Sequence, residues 1–387
     1  MRESTAQAEM LFSDSTHSLL IHRFSMNINH LLRQIAGKCR YLNRQLLICH
    51  YKRCLYQEVE RNKGEKVVYL FSNPTHSNLG DQAQTVCILR WFATNFSQHK
   101  VICVPIDFAT PKLLNLIGTR LRSEDILFVH SGYLIYNQHP HLPFICEVVK
   151  RYKNNKIVIF PQTVLLTDKD VILRTQEAFN THRNLILMCR DEVSLSNAQK
   201  LFTCRTLLFP DFVTSLIGNS EFAFGNKRAD ILFVLRNDGE KYYSDEELNN
   251  LKSKFTDLRI DTTDTTIQLG MSKWISHRDD IIKDYLECFS HYRLVITDRY
   301  HGAIFSQIVS TPTIVLSSAD HKLSSGVKWF PKEQFTNYIA YANDLDEAYQ
   351  LAICFLRQGE IPFNESKYFN ENYWNKLYGM IMGINIV

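Results

Sequence analysis

Hydrophobic positions recur at two different spacings along this chain. In residues 20–49, apolar side chains return every three or four positions, which places them on one face of a helix. From residue 66 onward, short apolar runs alternate with amphipathic stretches, a pattern typical of buried strands between helices. The pattern therefore predicts a basic amphipathic helical extension, residues 1–65, followed by an α/β protein.

The strand and helix signals fall into two series, which predict two doubly wound, Rossmann-like domains at residues 66–217 and 218–387. The polar, glycine-containing segment 215–227 joins them, and terminal helices end the second. Such alternation implies parallel sheets with helices on both faces, and ligands bind beyond the carboxyl ends of their strands. We therefore expect the two domains to face each other across a ligand cleft. Strands are predicted at 67–71, 101–106, 126–130, 156–160, 185–189, 205–209, 231–235, 293–297 and 313–316, and helices at 81–96, 111–120, 143–152, 170–180, 193–200, 245–255, 279–290, 301–309 and 344–357.

Cysteine usage and the lack of long apolar runs indicate where the protein works. The chain has 10 cysteines, none in a Cys-x-x-Cys pair, and most lie in apolar runs. This usage favours reduced, buried thiols in a cytoplasmic protein over a disulfide framework or a zinc site. Because no apolar run reaches 18 residues and the first 16 residues lack a signal-peptide pattern, we expect neither a membrane span nor secretion.

The net charge of +4 is concentrated near the start of the chain. Residues 16–57 contain seven Lys or Arg side chains and no acid, so the remainder is close to neutral. One interpretation is a helix packed on the domain behind it, with a solvated basic face. The other is an interfacial helix, residues 18–55, that holds the protein peripherally at the anionic inner face of the cytoplasmic membrane. We expect no nucleic-acid partner, because the basic charge does not belong to the body of the protein.

The first candidate site is the loop 73–81, which follows a strand and opens a helix. A helix N-terminus directs unpaired N–H groups at such a loop, which suits an anion. Gly80 allows close backbone approach. Asp81 is the predicted helix N-cap, and Asn78 precedes it. An ordinary strand–loop–helix turn is the alternative.

Three more candidates stand at predicted strand ends. His130 follows the third strand, and a structural histidine is its alternative. Gln162 follows the fourth strand. Arg190 follows the fifth and offers a planar donor fork that suits carboxylate or phosphate. Its alternative is an ion pair with Asp191 or Glu192.

The most informative segment is 295–304, where an apolar strand ends in a polar cluster and a helix begins at Gly302. Arg299 and His301 alternate at the strand end, so both are expected to reach one ligand. A guanidinium for anion binding beside an imidazole suits acid catalysis on an anionic substrate. The alternative is a buried ion pair of Asp298 with Arg299 and a core histidine. Lys322 adds a downstream cation, unless it lies in a solvated loop.

The candidate segments described above, taken in their order along the chain, resemble the motifs of the polysaccharide pyruvyltransferase family over roughly residues 66–326. Two departures from the family pattern stand out: Tyr300 replaces the usual leucine, and His130-Ser131-Gly132 stands where a glycine cluster is more common. The matching elements are Asn78-Leu79-Gly80-Asp81, Ser131-Gly132, Pro161-Gln162-Thr163, Arg190-Asp191 with Ser194, Pro210-Asp211, Arg236-Asn237-Asp238, Asp298-Arg299-Tyr300-His301-Gly302 and Lys322-Leu323-Ser324.

The resemblance implies a GT-B-like fold, phosphoenolpyruvate as donor, and a pyruvate ketal on a glycan as product. The glycan would be a surface, capsular or exopolysaccharide of the cell envelope, or its lipid-linked precursor. On this basis we expect His301 as catalytic acid and Asp81 as the group that takes the hydroxyl proton. The remaining expectations are donor contacts at Arg299, Arg190, Arg236, Lys322 and Gly302, and acceptor or cleft positions at Asn78, Gly80, His130 and Gln162.

The expected chemistry needs no redox cofactor, and no metal-ligand spacing is present. Two other functions remain open from the sequence. One is a GT-B-type glycosyltransferase that uses a nucleotide sugar, because residues 298–302 also fit a diphosphate site at a helix N-terminus. The other is a glycan-binding protein with a degenerate site.

Overall fold

The computed structural model describes residues 38, 41–239, 241–318 and 321–384. The chain divides into two compact units after Glu58. In the first unit, a helix that we label α1 begins at residue 41, and it continues to residue 61. This confirms a helix over part of the predicted basic segment. The rest of that segment, including residues 18–37 of the predicted membrane contact, lies outside the described residues.

The first half of the body contains a seven-stranded, wholly parallel sheet. Its strand order is β2-β1-β3-β5-β6-β7, and β4 pairs with the second part of β5. All five residues of β1 and of β6 are buried, as expected for apolar strands covered on both faces. The elements are β1 Val67–Phe71, α2 Leu79–Asn95, β2 Lys100–Val104, α3 Pro111–Arg120, β3 Ile126–Val129, β4 Gly132–Tyr136, α4 His141–Arg151, β5 Lys156–Leu165, α5 Lys169–Asn180, β6 Leu185–Cys189, α6 Glu192–Leu201 and β7 Arg205–Leu208.

The second half contains a five-stranded parallel sheet with the order β12-β11-β10-β8-β9. Two short 3₁₀ helices, Phe212–Leu216 and Ser220–Phe222, connect the halves. The elements that follow are β8 Ala229–Val234, α7 Asp245–Ser253, β9 Ile260–Thr263, α8 Met271–Ser290, β10 Tyr292–Thr297, α9 Tyr300–Ile308, β11 Thr313–Leu316, α10 Lys322–Val327, α11 Lys332–Phe335, β12 Ile339–Ala342, α12 Leu345–Arg357, a π-helical turn Asn370–Trp374 and α13 Asn375–Met382.

Backbone pairing and shared packing join the two halves. The amide of Leu79 donates to the carbonyl of Thr265 at 2.8 Å, and Ile267 donates back to Ser77 at 3.1 Å. One continuous apolar cluster contains residues of both sheets. The C-terminal segment 370–382 returns to the first half, where Trp374 stacks on Phe212 with ring centroids 4.2 Å apart. The relative positions of the two sheets are thereby held at several points.

The predicted architecture of two doubly wound parallel sheets is confirmed, and the differences are local. Strands β4, β9 and β12 were not predicted: β4 has five residues, β9 and β12 have four each, and β9 is polar at Asp261, Thr262 and Thr263. Strand β5 runs on to Leu165, so Gln162 lies inside a strand and not after one. In the described part of the chain, no helix is both long and apolar enough to cross a membrane.

Candidate active site

A cleft of about 420 Å³ opens where the carboxyl ends of the two sheets meet. In the first sheet the chain leaves β1 towards β2 and then returns to the other side of β1 with β3, and in the second it changes direction between β8 and β10. Crevices at such switch points are where doubly wound sheets bind ligands. The cleft is lined by Ser72, Pro74, His76, Asn78, Asp81, His130, Ser131, Tyr133, Leu134, Tyr136, His139, Pro140, His141, Arg190, Arg236, Asp238, Thr265, Arg299, Tyr300, His301 and Lys322.

The N-terminus of α2 forms one edge of the cleft. The side chain of Asn78 is the N-cap and accepts hydrogen bonds from the amides of Gly80 at 2.9 Å and Asp81 at 3.4 Å. The prediction that Asp81 is the N-cap is therefore wrong. Because Asn78 satisfies these donors, the Asp81 carboxylate lies in the first helical turn, 3.7 Å from Nε2 of His76.

His301 stands beside a buried carboxylate that the chain brings from the other half. Its Nε2 lies 3.4 Å from Oδ2 of Asp211, which follows β7 and is fully buried. Nε2 of Gln84 donates to the same oxygen at 2.6 Å. The Asp211 carboxylate therefore lies within reach of a proton on Nε2 of the imidazole, and Nε2 of Gln84 lies 3.3 Å from the same ring nitrogen. An imidazolium at this place carries its second proton on Nδ1, which faces Gly80.

Asp211 remains a carboxylate in spite of its burial. Desolvation would raise its pKa, but the attraction and hydrogen bond of His301, with the charge of Arg190, hold the pKa below its ordinary value. The amide of Val213 also donates to it, at 3.0 Å. The site therefore contains a buried negative charge beside the imidazole of His301.

Arg190 is oriented by three neighbours. Its Nε donates to Oγ1 of Thr163 at 2.5 Å, and Nη1 lies 3.8 Å from Oδ2 of Asp211. The guanidinium carbon lies 5.2 Å from the centroid of the Tyr300 ring, which is a cation–π arrangement. The alternative of an ion pair with Asp191 or Glu192 is wrong, because Asp191 caps α6 by accepting from the amide of Ser194.

Arg299 is held by two carboxylates. Nε and Nη2 donate to the two carboxylate oxygens of Asp264 at 2.7 and 2.8 Å, and Nη1 lies 2.8 Å from Asp238. These contacts use three of its five N–H donors, which leaves at most two for a ligand. The predicted alternative, a pair with Asp298, is wrong. Asp298 instead accepts from the amide of Arg236 at 2.8 Å, and burial raises its pKa to about 6.

The other predicted cations, Arg236 and Lys322, also line the cleft. Nε of Arg236 is 3.6 Å from Oδ1 of Asp238. Nζ of Lys322 lies 4.4 Å from the centroid of the Tyr133 ring. Lys322 begins helix α10, so the alternative of a solvated loop is wrong.

For three predicted site residues, His130, Gln162 and Gly302, the contacts are made within the fold and support its structure. The buried His130 ring contacts Thr85 Oγ1 at 2.9 Å and the carbonyl of Ser131 at 2.7 Å, and burial lowers its pKa to about 4. The side-chain amide of Gln162, in β5, donates to the carbonyl of His130, which lies in the break between β3 and β4. Gly302 is buried, and a Cβ there would lie 2.5 Å from Oγ1 of Thr297. Gly302 therefore allows α9 to approach the end of β10.

The sequence did not predict Asp211, Gln84, Asp264 or the aromatic residues of the cleft as site residues. The sequence did contain an indication that Asp211 belongs to the site, because Pro210-Asp211 is one of the motifs that match the family. It contained none for Gln84 and Asp264, since each reaches the site only through packing of α2 and β9. Within the described ranges, no group of three or more His, Cys, Asp or Glu side chains is arranged to hold a metal ion.

Comparison with known proteins gives a matching family model, several relatives and a fold. The family model "Polysaccharide pyruvyl transferase" matches residues 78–321. General stress protein 30 of Bacillus subtilis (strain 168) is 27% identical over 298 residues, which are 73% of this chain and 83% of that protein. Pyruvyl transferase 1 of Schizosaccharomyces pombe (strain 972 / ATCC 24843) is 26% identical, over 72% of this chain and 71% of that protein.

Among solved structures, trehalose-6-phosphate synthase OtsA aligns with a TM-score of 0.52 and 11% identity, over 84% of this chain and all of that chain (100%). At this identity the likeness concerns the fold alone. OtsA is a GT-B glycosyltransferase, so the expected GT-B-like fold is confirmed.

Proposed function

This chain belongs to the polysaccharide pyruvyl transferase family, and we propose that it transfers the pyruvyl group of phosphoenolpyruvate to two hydroxyls of one sugar residue. The product is a pyruvate ketal on a surface or capsular polysaccharide or on its lipid-linked precursor. The observation that carries the proposal is the pairing of His301 with Asp211 in a cleft that is also lined by Arg190, Arg236 and Lys322.

Phosphoenolpyruvate needs this combination of groups. It carries a carboxylate and a phosphate on a three-carbon frame, so a site for it requires several cations at short range. Arg190 and Arg236 supply planar forks, and Lys322 supplies a point charge. Arg299 contributes through its remaining N–H donors, while its carboxylate partners Asp264 and Asp238 hold it in place.

The chemistry begins with a proton for the methylene carbon. His301 gives this proton, and C2 becomes cationic. A sugar hydroxyl attacks C2 and loses its proton to Asp81, which lines the same cleft. The bond from C2 to the phosphate oxygen breaks, and a second hydroxyl attacks C2 to close the ketal. Of the two hydroxyl protons released, one replaces the proton that His301 gave and the other leaves on phosphate.

Asp211 explains how an imidazole becomes the acid for this step. Its buried carboxylate lies 3.4 Å from Nε2 and orients the ring for the transfer. Because the carboxylate and the ring are already aligned, little reorganisation is required when the proton moves. Neither a metal ion nor a redox cofactor has a part in the proposed steps.

The compartment proposed for this reaction is the cytoplasm. All nine cysteines in the described ranges are free thiols, which suits a reducing compartment. We also propose that the basic N-terminal segment contacts the inner face of the cytoplasmic membrane. Tyr41, Leu42 and Leu46 of α1 support it, since their side chains are exposed.

Calorimetric titration with phosphoenolpyruvate tests the proposed donor. We expect binding to the wild-type protein and to Arg174→Ala, a control on the exposed face of α5, and at least about tenfold weaker binding to Arg190→Ala. UDP-sugars serve as comparison ligands. Binding of a UDP-sugar without binding of phosphoenolpyruvate would contradict the proposal and indicate a nucleotide-sugar glycosyltransferase.

A further inference from the structure

The lining of the cleft is of two chemical kinds, and they come from different parts of the fold. The fixed positive charges come from the ends of β6, β8 and β10 and from α10. The segment of β4 and the start of α4 instead contributes rings: Tyr133, Tyr136, His139 and His141. We call these four residues the aromatic wall.

The aromatic wall is continuous. The Tyr133 and Tyr136 ring centroids are 4.7 Å apart at an interplanar angle of 37°. Tyr136 and His139 follow at 5.1 Å, and His139 and His141 at 5.0 Å. All four residues are half-buried, so part of each remains accessible. Several rings left exposed in a concave cleft are typical of a binding surface.

The wall is also uncharged at neutral pH. Burial lowers the pKa of His139 to about 4 and also lowers the pKa of His141. Neutral imidazoles provide no counter-charge for a phosphate or carboxylate. Lys322, whose ammonium lies over the Tyr133 ring, marks the place where the wall meets the cationic lining. The wall is therefore unsuited to the anionic donor.

Its chemistry fits a sugar ring. A pyranose has a face of C–H groups, which packs on aromatic rings, and a rim of hydroxyls, which such packing leaves available. We propose that the aromatic wall is the acceptor subsite, in which Tyr133 and Tyr136 stack on the C–H face of an uncharged pyranose. Two neighbouring hydroxyls are then directed towards Asp81 and His301. This inference rests on the proposed function and names the acceptor class and its subsite.

Saturation-transfer difference NMR tests the wall without catalysis. The probes are methyl β-D-galactopyranoside, methyl β-D-glucopyranoside and methyl α-D-mannopyranoside. We expect saturation of ring C–H protons of at least one glycoside with the wild type and with Tyr136→Phe, which keeps the ring. Tyr136→Leu should weaken binding about tenfold, because the stacking is lost. Tyr242→Leu, which alters a tyrosine that is 55% exposed, is the matched control.

The outcomes separate the acceptor subsite from the donor. Binding to Tyr136→Leu that equals wild-type binding would overturn the aromatic wall as the subsite, and so would a wild type that binds none of the glycosides. Should Tyr136→Leu fail to fold, Tyr133→Leu replaces it with the same criteria. Phosphoenolpyruvate titration of the same proteins reports on the donor alone. Tyr136-dependent glycoside binding without donor binding would keep the wall and contradict the proposed function.

Discussion

The imidazole of His301 packs directly against the backbone of Gly80. A Cβ at Gly80 would lie 1.9 Å from Nδ1 of His301. The glycine at the start of α2 is thus required by a histidine more than 200 positions later, on α9 of the other half. Asn78 fixes the same turn by capping α2. The position of the proposed acid therefore depends on both halves of the protein.

Gly80→Ala should displace His301 and lower kcat. A misplacement of about 1 Å at a reacting group typically costs about 100-fold in rate. Steady-state kinetics with phosphoenolpyruvate and an acceptor measures the effect. Gly359→Ala is the matched control, because a Cβ at Gly359 has no neighbour within 4 Å. Equal kcat in the two variants would contradict the proposed role of this contact.

Asp211→Asn should lower kcat by about 100-fold and change the KM for phosphoenolpyruvate much less. The reason is that the variant loses the negative charge behind His301 but keeps a side chain of the same shape. Asp168→Asn is the control, since Asp168 is an N-cap of α5 for which asparagine is an equal substitute. A rise in KM with unchanged kcat would show that Asp211 serves donor binding instead.

Arg190→Lys should raise the KM for phosphoenolpyruvate about tenfold, although the charge is conserved. Lysine cannot reproduce the planar fork that donates to Thr163 while it stacks on Tyr300. Initial rates at varied donor concentration provide the measurement. Tyr300→Phe keeps the stacked ring and should leave this KM near the wild-type value. If Arg190→Lys behaves as the wild type, charge alone suffices at this position.

Gly326→Ala should lower the free energy of unfolding by about 1–3 kcal/mol. A Cβ at Gly326 would lie 2.2 Å from the Tyr300 ring. Because leucine is smaller than tyrosine, adding Tyr300→Leu should relieve the overlap, and the two effects should not add. Urea denaturation of both single variants and the double variant measures this coupling. Additive effects would show that the ring moves aside without cost.

The buried His130 should make the fold sensitive to mild acid. Its pKa is lowered by burial from 6.5 to about 4. Below pH 6.5 the unfolded chain takes up a proton that the folded chain does not, so the free energy of unfolding falls as the pH drops towards 4. His139, with a pKa also lowered to about 4, acts in the same direction.

The test is denaturation at pH 7 and at pH 5. Between these two pH values, the free energy of unfolding should fall less for His130→Gln than for the wild type. His277→Gln, at a histidine whose side chain is 64% exposed, is the control and should follow the wild type. An identical loss for His130→Gln and the wild type would mean that His130 is protonated without cost in the folded state.

Local sequence was sufficient to predict nine of the twelve strands that form the two sheets. Buried parallel strands need continuous apolar runs, such as Val67–Phe71 and Leu185–Cys189, and these runs are visible in the chain itself. Polar residues directly after such runs, as at Arg190, Arg299 and His301, must lie at the carboxyl edges of the sheets. The order of elements therefore indicated the cleft and the four cations that line it, Arg190, Arg236, Arg299 and Lys322.

The charge partners and the donors available to a ligand were decided by the tertiary structure. His301 meets Asp211, and Arg299 meets Asp264, because the two halves pack together and β9 lies beside β8. These pairs are far apart in sequence, and a carboxylate leaves no periodic signal of its partner. The aromatic wall was also beyond prediction, since β4 has only five residues and its pairing with β5 is visible only in the folded protein. Sequence determined which residues stand at the strand ends, and only packing determined which of them face one another.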